Sequence, residues 1–224
     1  MQRGQSLSEM NAKQDLKDQL EAYKNRFLEK APEAKIRAYD EGVDVVAKSG
    51  ILDRARKAGD TAIDFQLSNA LGKSISLSDY LAKGPVVLTW YRGGWCPYCN
   101  MSLHALQDSL PAFHAKGAQL LALTPELPDH SLNTAEKQGL QFEVLTDQDN
   151  AVARQYGIVF SLTPEVAAYY KAAFDLEVYN GNTSNELPLA ATYVIQPDEQ
   201  ISWSFLDADY RRRAEPSDIL AALS

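Results

Sequence analysis

The chain has 224 residues, 45% of them hydrophobic and 23% charged, enough apolar material for one sizeable core. Its 22 basic and 30 acidic residues leave a net charge of −8, which argues against nucleic acid or an anionic membrane as a general partner. No apolar run approaches the ~20 residues a membrane span requires, and Met1 to Met10 lack the apolar core of a secretory signal. The expected compartment is the cytoplasm, where thiols stay reduced unless they cycle.

Residues 1–56 read as a helical extension and 57–224 as the main domain. Ser8 is placed to cap a helix with the stripe Leu16, Leu20, Tyr23 and Phe27. Pro32 lies just inside a second start, followed by Ile36, Tyr39, Val43 and Val46, and Gly50 suits the C-terminus. Each stripe is narrow. Such helices need a surface to lie on, either the main domain or a second subunit, which leaves a homodimer open.

In the main domain, residues 62–67 alternate, residues 69–73 turn, and Ile75-Ser76-Leu77 returns, a hairpin signal. Ser78-Asp79 is placed to cap a short helix. Pro85-Val86-Val87-Leu88 then reads as a buried parallel strand, and Leu103, Leu106 and Leu110 mark a helix beyond it. Between them lies Thr89-Trp90-Tyr91-Arg92-Gly93-Gly94-Trp95-Cys96-Pro97-Tyr98-Cys99, which holds both cysteines of the chain. Pro97 suits the first helical position, making Cys96 the cap residue. Cys99 falls in the first turn, where backbone N–H groups lack intrahelical partners and the helix dipole favours a thiolate. A C-x-x-C pair so placed is a redox motif. Three other readings stay open. Half a zinc site needs further ligands, and His104, His114 and His130 have no paired spacing; no metal or cofactor is expected. A structural disulfide would close too short a loop to remove much entropy. Two inert core thiols are the third. The neighbouring aromatics, Trp95 and Tyr98 among them, read first as packing, with Trp95 able to shield the sulfurs.

Further along, residues 118–123 form a second buried strand, 132–139 a helix and 142–145 a strand. Residues 147–150 turn into a helix through Val152, Ala153 and Tyr156, closed by Gly157. This alternation implies right-handed crossovers and a parallel core. Residues 160–187 read as an insertion, with a helix from Thr163-Pro164-Glu165 through Tyr169, Tyr170 and Phe174 and an exposed loop at 180–185. Residues 191–195 and 201–205 form a hairpin, and a closing helix follows Pro216. Arg211-Arg212-Arg213, flanked by Asp207, Asp209 and Glu215, reads as a solvated or ion-paired surface. His104 is expected off the cysteine face, and Glu126 in a loop or cap role with proton transfer as its alternative.

Four stretches, in order and spacing, resemble the peroxiredoxin group of the thioredoxin superfamily, of the alkyl hydroperoxide reductase and thiol-specific antioxidant type. They are Gly59 to Phe65; Trp90 to Cys99, with its W-C-P-Y-C; Val144 to Asp147 with Val152-Ala153 and Tyr156-Gly157; and Ala191 to Ile195 with Pro197-Asp198. The resemblance implies a thioredoxin-like α/β fold, a central mixed sheet flanked by helices. It also implies a thiol peroxidase acting on hydrogen peroxide or organic hydroperoxides, with a thioredoxin-like or glutathione-type reductant. The motif departs from the group's P-x-x-x-T-x-x-C: Arg92 stands at the proline, Cys96 at the threonine and Cys99 at the peroxidatic cysteine. The arginine such enzymes carry near the later strand is absent from Leu189-Ala190-Ala191. Arg92 is a candidate to supply positive charge instead, against the alternative of a surface ion pair. A thiol-disulfide oxidoreductase acting on protein disulfides is the second functional class. The site residues expected are Cys96 and Cys99 as the redox pair, with Arg92, Trp95, Pro97 and Tyr98 shaping it. By access, Cys96 is expected to attack and Cys99 to resolve.

Overall fold

The computed structural model describes residues 15–223; Ser8 and the helix start it was expected to cap lie outside them. Two amphipathic helices lead, α1 (Leu16–Lys30) and α2 (Glu33–Lys48). Gly50, at φ +73°, ends α2 in a left-handed conformation that a side chain disfavours, and the chain passes into the single turn α3 (Ile51–Arg54). A hairpin of β1 (Gln66–Ser68) and β2 (Ser74–Ser76) follows, then α4 (Leu77–Leu81). The cap of α4 is Ser76, whose hydroxyl accepts from the Asp79 N–H at 3.2 Å, two residues before the expected Ser78. Starting the helix at once buries Leu77.

The body is a five-stranded sheet. β3 (Val86–Trp90) leads into α5 (Pro97–Ala115), and β4 (Gln119–Thr124) into α6 (Pro128–Gln138). β5 (Glu143–Thr146) is followed by α7 (Ala151–Gln155). β6 (Val159–Ser161), α8 (Pro164–Ala173), α9 (Leu176–Asn180) and β7 (Glu186–Pro188) make up the inserted region. β8 (Thr192–Ile195), β9 (Ile201–Phe205) and α10 (Pro216–Ala222) complete the described chain. The strand order is β5-β4-β3-β8-β9; β3, β4 and β5 run parallel, and β8 and β9 are antiparallel. The sheet is therefore mixed: the crossovers make its parallel half and the β8–β9 hairpin the other. α6 begins at Pro128, four residues before the expected start, with the proline in its first turn.

β3 is central, and every one of its residues is buried. Val86, Leu88 and Trp90 face one core with Leu121, Leu123 and Tyr193, while Val87 faces the other with Leu106, Leu110 and Phe113. Burial on both faces is why the strand reads as an unbroken apolar run. Asp147 organises the switch from β5 to α7: its carboxylate accepts from the N–H groups of Val152 at 2.8 Å and Ala153 at 2.9 Å. Those groups have no partner within the helix.

The helices outside the sheet lie on this body. Leu16 and Leu20 of α1 are buried in one cluster with Tyr91, Cys96, Tyr98 and Leu103. α2 packs on α8 where Gly42 leaves room; a Cβ there would stand 3.1 Å from Val166. The ends of the inserted region are held together because β6 and β7 pair antiparallel.

Candidate active site

The sulfurs are positioned by local geometry. β3 ends at Trp90, and Gly93 takes φ +150°, open only to glycine. A Cβ on Gly93 would stand 2.2 Å from the Trp95 indole nitrogen, and one on Gly94 would stand 2.0 Å from the Thr134 hydroxyl of α6. The Gly93-Gly94 turn is thus compressed between its own tryptophan and a neighbouring helix. It is also tied: Gly94 N–H donates to Glu126 Oε1 at 2.9 Å, and the Asn100 amide donates to Gly94 O at 2.9 Å. Cys96 then stands at the N-cap of α5 with Pro97 in the first turn, as the spacing predicts.

Both cysteines are free thiols, and both are buried, Cys96 at 2% exposure and Cys99 at 0%. Open solvent exposure at the cap, which favoured Cys96 as the attacking sulfur, is not found: α1 and Tyr98 pack over it. The two sulfurs sit in different fields. Cys99 Sγ accepts from the Arg92 backbone N–H at 3.4 Å and from Arg213 Nη2 at 3.2 Å. Burial works against its charge, but the Cys96 thiol, the Arg213 and Arg92 guanidiniums and the Arg92 amide hold the Cys99 thiol well below its ordinary range. Burial pushes the Cys96 thiol well up, and the neighbouring Cys99 sulfur adds to this. The two fields therefore favour the proton at Cys96 and the charge at Cys99.

Arg92 is buried, and among the described residues it pairs with no carboxylate, so the surface ion-pair alternative is overturned. Its Nη1 lies 3.8 Å from Cys96 Sγ, and its Nη2 donates to the Tyr170 hydroxyl. Aromatic faces supply the rest. The guanidinium carbon is 4.1 Å from the Tyr210 ring centroid, 5.0 Å from Trp95 and 5.6 Å from Tyr170. Trp95 stacks on Phe174 at 4.5 Å and meets Tyr170 edge-on at 5.2 Å. Tyr98 stands edge-on between Tyr23 and Tyr210.

A cleft of about 200 Å³ opens over this group, lined by Arg92, Trp95, Cys96, Pro97 and Tyr98 together with Tyr170 and Tyr210. Five of the six expected site residues thus share one cleft wall, and the sixth, Cys99, lies behind Cys96. Glu126 is buried below the Gly94 amide. Burial pushes its carboxyl up to about 7, against the Gly94 hydrogen bond. His104 lies on the outer face of α5, 3.6 Å from Asp108.

Arg213 corrects the expectation of a basic surface run. Arg211 pairs with Asp40 and Asp209, each at 2.7 Å, and Arg212 with Asp207 at 3.4 Å. Arg213 turns inward instead, 8% exposed, with Nη1 on the backbone carbonyls of Tyr210 and Arg212. It brings to Cys99 a guanidinium that Leu189-Ala190-Ala191 does not. Tyr170 was read only as part of a helix stripe; its place on Arg92 depends on how the inserted region folds back.

The model of the AhpC/TSA family matches residues 58–204. The chain is 34% identical over 102 residues to the "Putative peroxiredoxin bcp" of Buchnera aphidicola subsp. Schizaphis graminum, a stretch covering 46% of this chain and 64% of that protein. It is 32% identical over 101 residues to the "Thiol-disulfide oxidoreductase ResA" of Geobacillus thermodenitrificans, covering 45% of this chain and 57% of that one. The matches thus span less than two thirds of either relative. Among solved structures, the "Peroxidoxin BcpB" of Mycobacterium tuberculosis superposes with a TM-score of 0.59 at 23% identity, over 75% of this chain and 96% of that one, a likeness of fold.

Proposed function

The chain belongs to the AhpC/TSA family, and from that premise we propose that it is a thiol peroxidase working through a Cys96–Cys99 dithiol/disulfide cycle. The observation that carries the reading is the convergence on Cys99 of two guanidiniums, a backbone N–H and the Cys96 thiol. A thiolate held in this way is the nucleophile that peroxide reduction requires. Cys99 S⁻ attacks one peroxide oxygen, the O–O bond breaks, and the departing alkoxide or hydroxide takes the proton from Cys96. Cys99 becomes a sulfenic acid. The Cys96 thiolate so formed attacks its sulfur, releasing hydroxide, and the disulfide closes. One peroxide is reduced by two electrons and two cysteines are oxidised.

This order reverses the expectation that Cys96 attacks. That expectation rested on access, and the burial of both sulfurs weakens it. Peroxide is small enough for charge to decide. Arg92 lines the cleft and its backbone N–H bonds Cys99, so it is placed to guide a peroxide past Cys96 to that sulfur, with Trp95, Pro97 and Tyr98 shaping the approach. In this reading α1 and α2 supply a wall of the site carried by residues 57–224, and the chain works in the cytoplasm with a thiol reductant.

A thiol-disulfide oxidoreductase is the second reading, favoured by the C-x-x-C pair and by the position of Cys96 on the cleft. Dimedone trapping after peroxide treatment tests both. Cys96→Ser should label at Cys99. Labelling at Cys96 in Cys99→Ser, with none at Cys99 in the other variant, would restore the opposite order; no labelling in either, with rapid reduction of a protein disulfide, would favour the second reading.

A further inference from the structure

The two sulfurs do not face the same space. Cys96 lines the cleft, and Cys99 is enclosed behind it. Once the disulfide has closed, an incoming thiolate meets Cys96 first. The volume of the cleft, about 200 Å³, is below the roughly 300–1,000 Å³ of ordinary ligand pockets. Its walls come from α1 and α2 as well as from the motif and α8, so the sulfurs are set back from any flat protein surface.

The charge of the cleft is opposite to that of the chain. The chain carries −8, yet the charged residues lining the cleft are Lys35, Arg92 and Arg211, with no Asp or Glu among them. Arg211 is neutralised by Asp40 and Asp209. Lys35 is held over the rings of Tyr39 at 5.6 Å and Tyr169 at 5.7 Å, with no carboxylate partner among the described residues. Arg92 likewise lacks one, and its Nε is buried without a hydrogen bond. With Cys99 tied up in the disulfide, both cations lack a compensating charge, and beside aromatic walls they suit a small anion with an apolar stem.

We infer that the disulfide is reduced in this cleft by a low-molecular-weight thiol bearing carboxylates, drawn in by Lys35 and Arg92, and not by a protein dithiol. The inference rests on the dithiol cycle proposed above. The thiolate attacks Cys96 Sγ, the Cys96–Cys99 bond breaks, and Cys99 leaves as the thiolate that Arg213 and the Arg92 amide hold. A leaving sulfur of lowered pKa departs faster. A second thiolate attacks the sulfur of the small thiol in the mixed disulfide. It releases a small disulfide and the Cys96 thiolate, which takes a proton from water. Two thiols are oxidised and one protein disulfide is reduced.

The full chain is oxidised with stoichiometric peroxide, and reduction is followed by mass spectrometry after rapid alkylation. The probes are glutathione, neutral 2-mercaptoethanol and a thioredoxin. For Lys35→Glu, the ratio of the glutathione rate to the 2-mercaptoethanol rate should fall about tenfold relative to wild type, since the comparison cancels each thiol's own nucleophilicity. High salt should lower the same ratio in wild type. A ratio unmoved by either change overturns the inference, as does faster reduction by thioredoxin than by glutathione at equal thiol concentration. If peroxide does not close the disulfide, the peroxidase reading fails on its own, and the pair is closed with diamide for the same measurements. A pair that no oxidant closes overturns both.

Discussion

The strand–helix junction and the wall that covers it achieve order by different means. At the junction, ten residues from Trp90 to Cys99 fix both sulfurs through backbone conformation, two glycines and backbone N–H hydrogen bonds. The wall is assembled from Tyr23 and Tyr39 on the leading helices, Tyr170 and Phe174 in the inserted region, and Tyr210 after β9. It is held mainly by ring contacts at 5.0–6.0 Å. The wall decides what can reach the Cys99 sulfur behind it.

The largest effects should come from the junction itself. Cys99→Ser and Cys96→Ser should each lower steady-state peroxide consumption by roughly three orders of magnitude. Only Cys96→Ser should keep a single turnover that ends in a stable sulfenic acid. Turnover in Cys99→Ser close to wild type would show that charge at Cys99 is irrelevant to the chemistry.

Glu126 tests the junction's footing through pH. Its carboxyl moves from 4.5 to about 7 on folding. The folded state therefore holds this proton more tightly, so the contribution to stability is full below pH 4.5 and is lost as pH rises through 7. Between pH 4 and pH 8.5, wild type should lose roughly 3 kcal/mol more stability than Glu126→Gln, read from urea midpoints. Parallel profiles would mean that the carboxyl is solvated.

Tyr170→Phe tests the wall. It removes the hydroxyl that accepts from Arg92 Nη2 and leaves a buried guanidinium N–H without a partner. Stability should fall by about 2 kcal/mol, with a smaller fall in activity. An unchanged thermal midpoint would mean that the rings alone hold Arg92.

The finest distinction is between charge brought directly to Cys99 and charge held out on the cleft wall. Arg213→Met should raise the pH of half-maximal Cys99 alkylation by at least about 1 unit and slow peroxide reduction at pH 7 about tenfold. Lys35→Met, out on the cleft wall, should leave that pH where it is. If the two variants shift it equally, the fields of the two regions are not separate.

This comparison also marks what the sequence could convey. The junction was legible because its determinants are local: a doubly buried strand, a proline at the first helical position and a cysteine in the first turn. Periodicity implied a parallel core and a closing hairpin, the resemblance implied a mixed sheet with helices on its faces, and the mixed sheet was met. Arg213 was not legible as a site residue. Three consecutive arginines between acids have one pattern whether all point outward or one turns in, and only the fold of the segment after β9 separates them. One signal was available: the arginine missing near β8 left a charge to be found elsewhere. Arg92 was legible as a candidate by proximity, but its burial without a carboxylate depended on Tyr170 and Tyr210, 78 and 118 residues away. The start of α6 was missed because Pro128 carries no apolar periodicity, although a proline in the first turn is itself a start signal.

The hydrogen bond from Arg213 to Cys99 joins residues 114 positions apart. A ribosome adding ~5–20 residues per second needs on the order of ten seconds to cover that distance. Throughout that interval the nascent chain carries two thiols without one of the guanidiniums that lower the pKa of Cys99 in the folded site. Reactivity toward oxidants is thereby tied to completion of the fold, and an unfinished chain is spared the chemistry that the finished one performs.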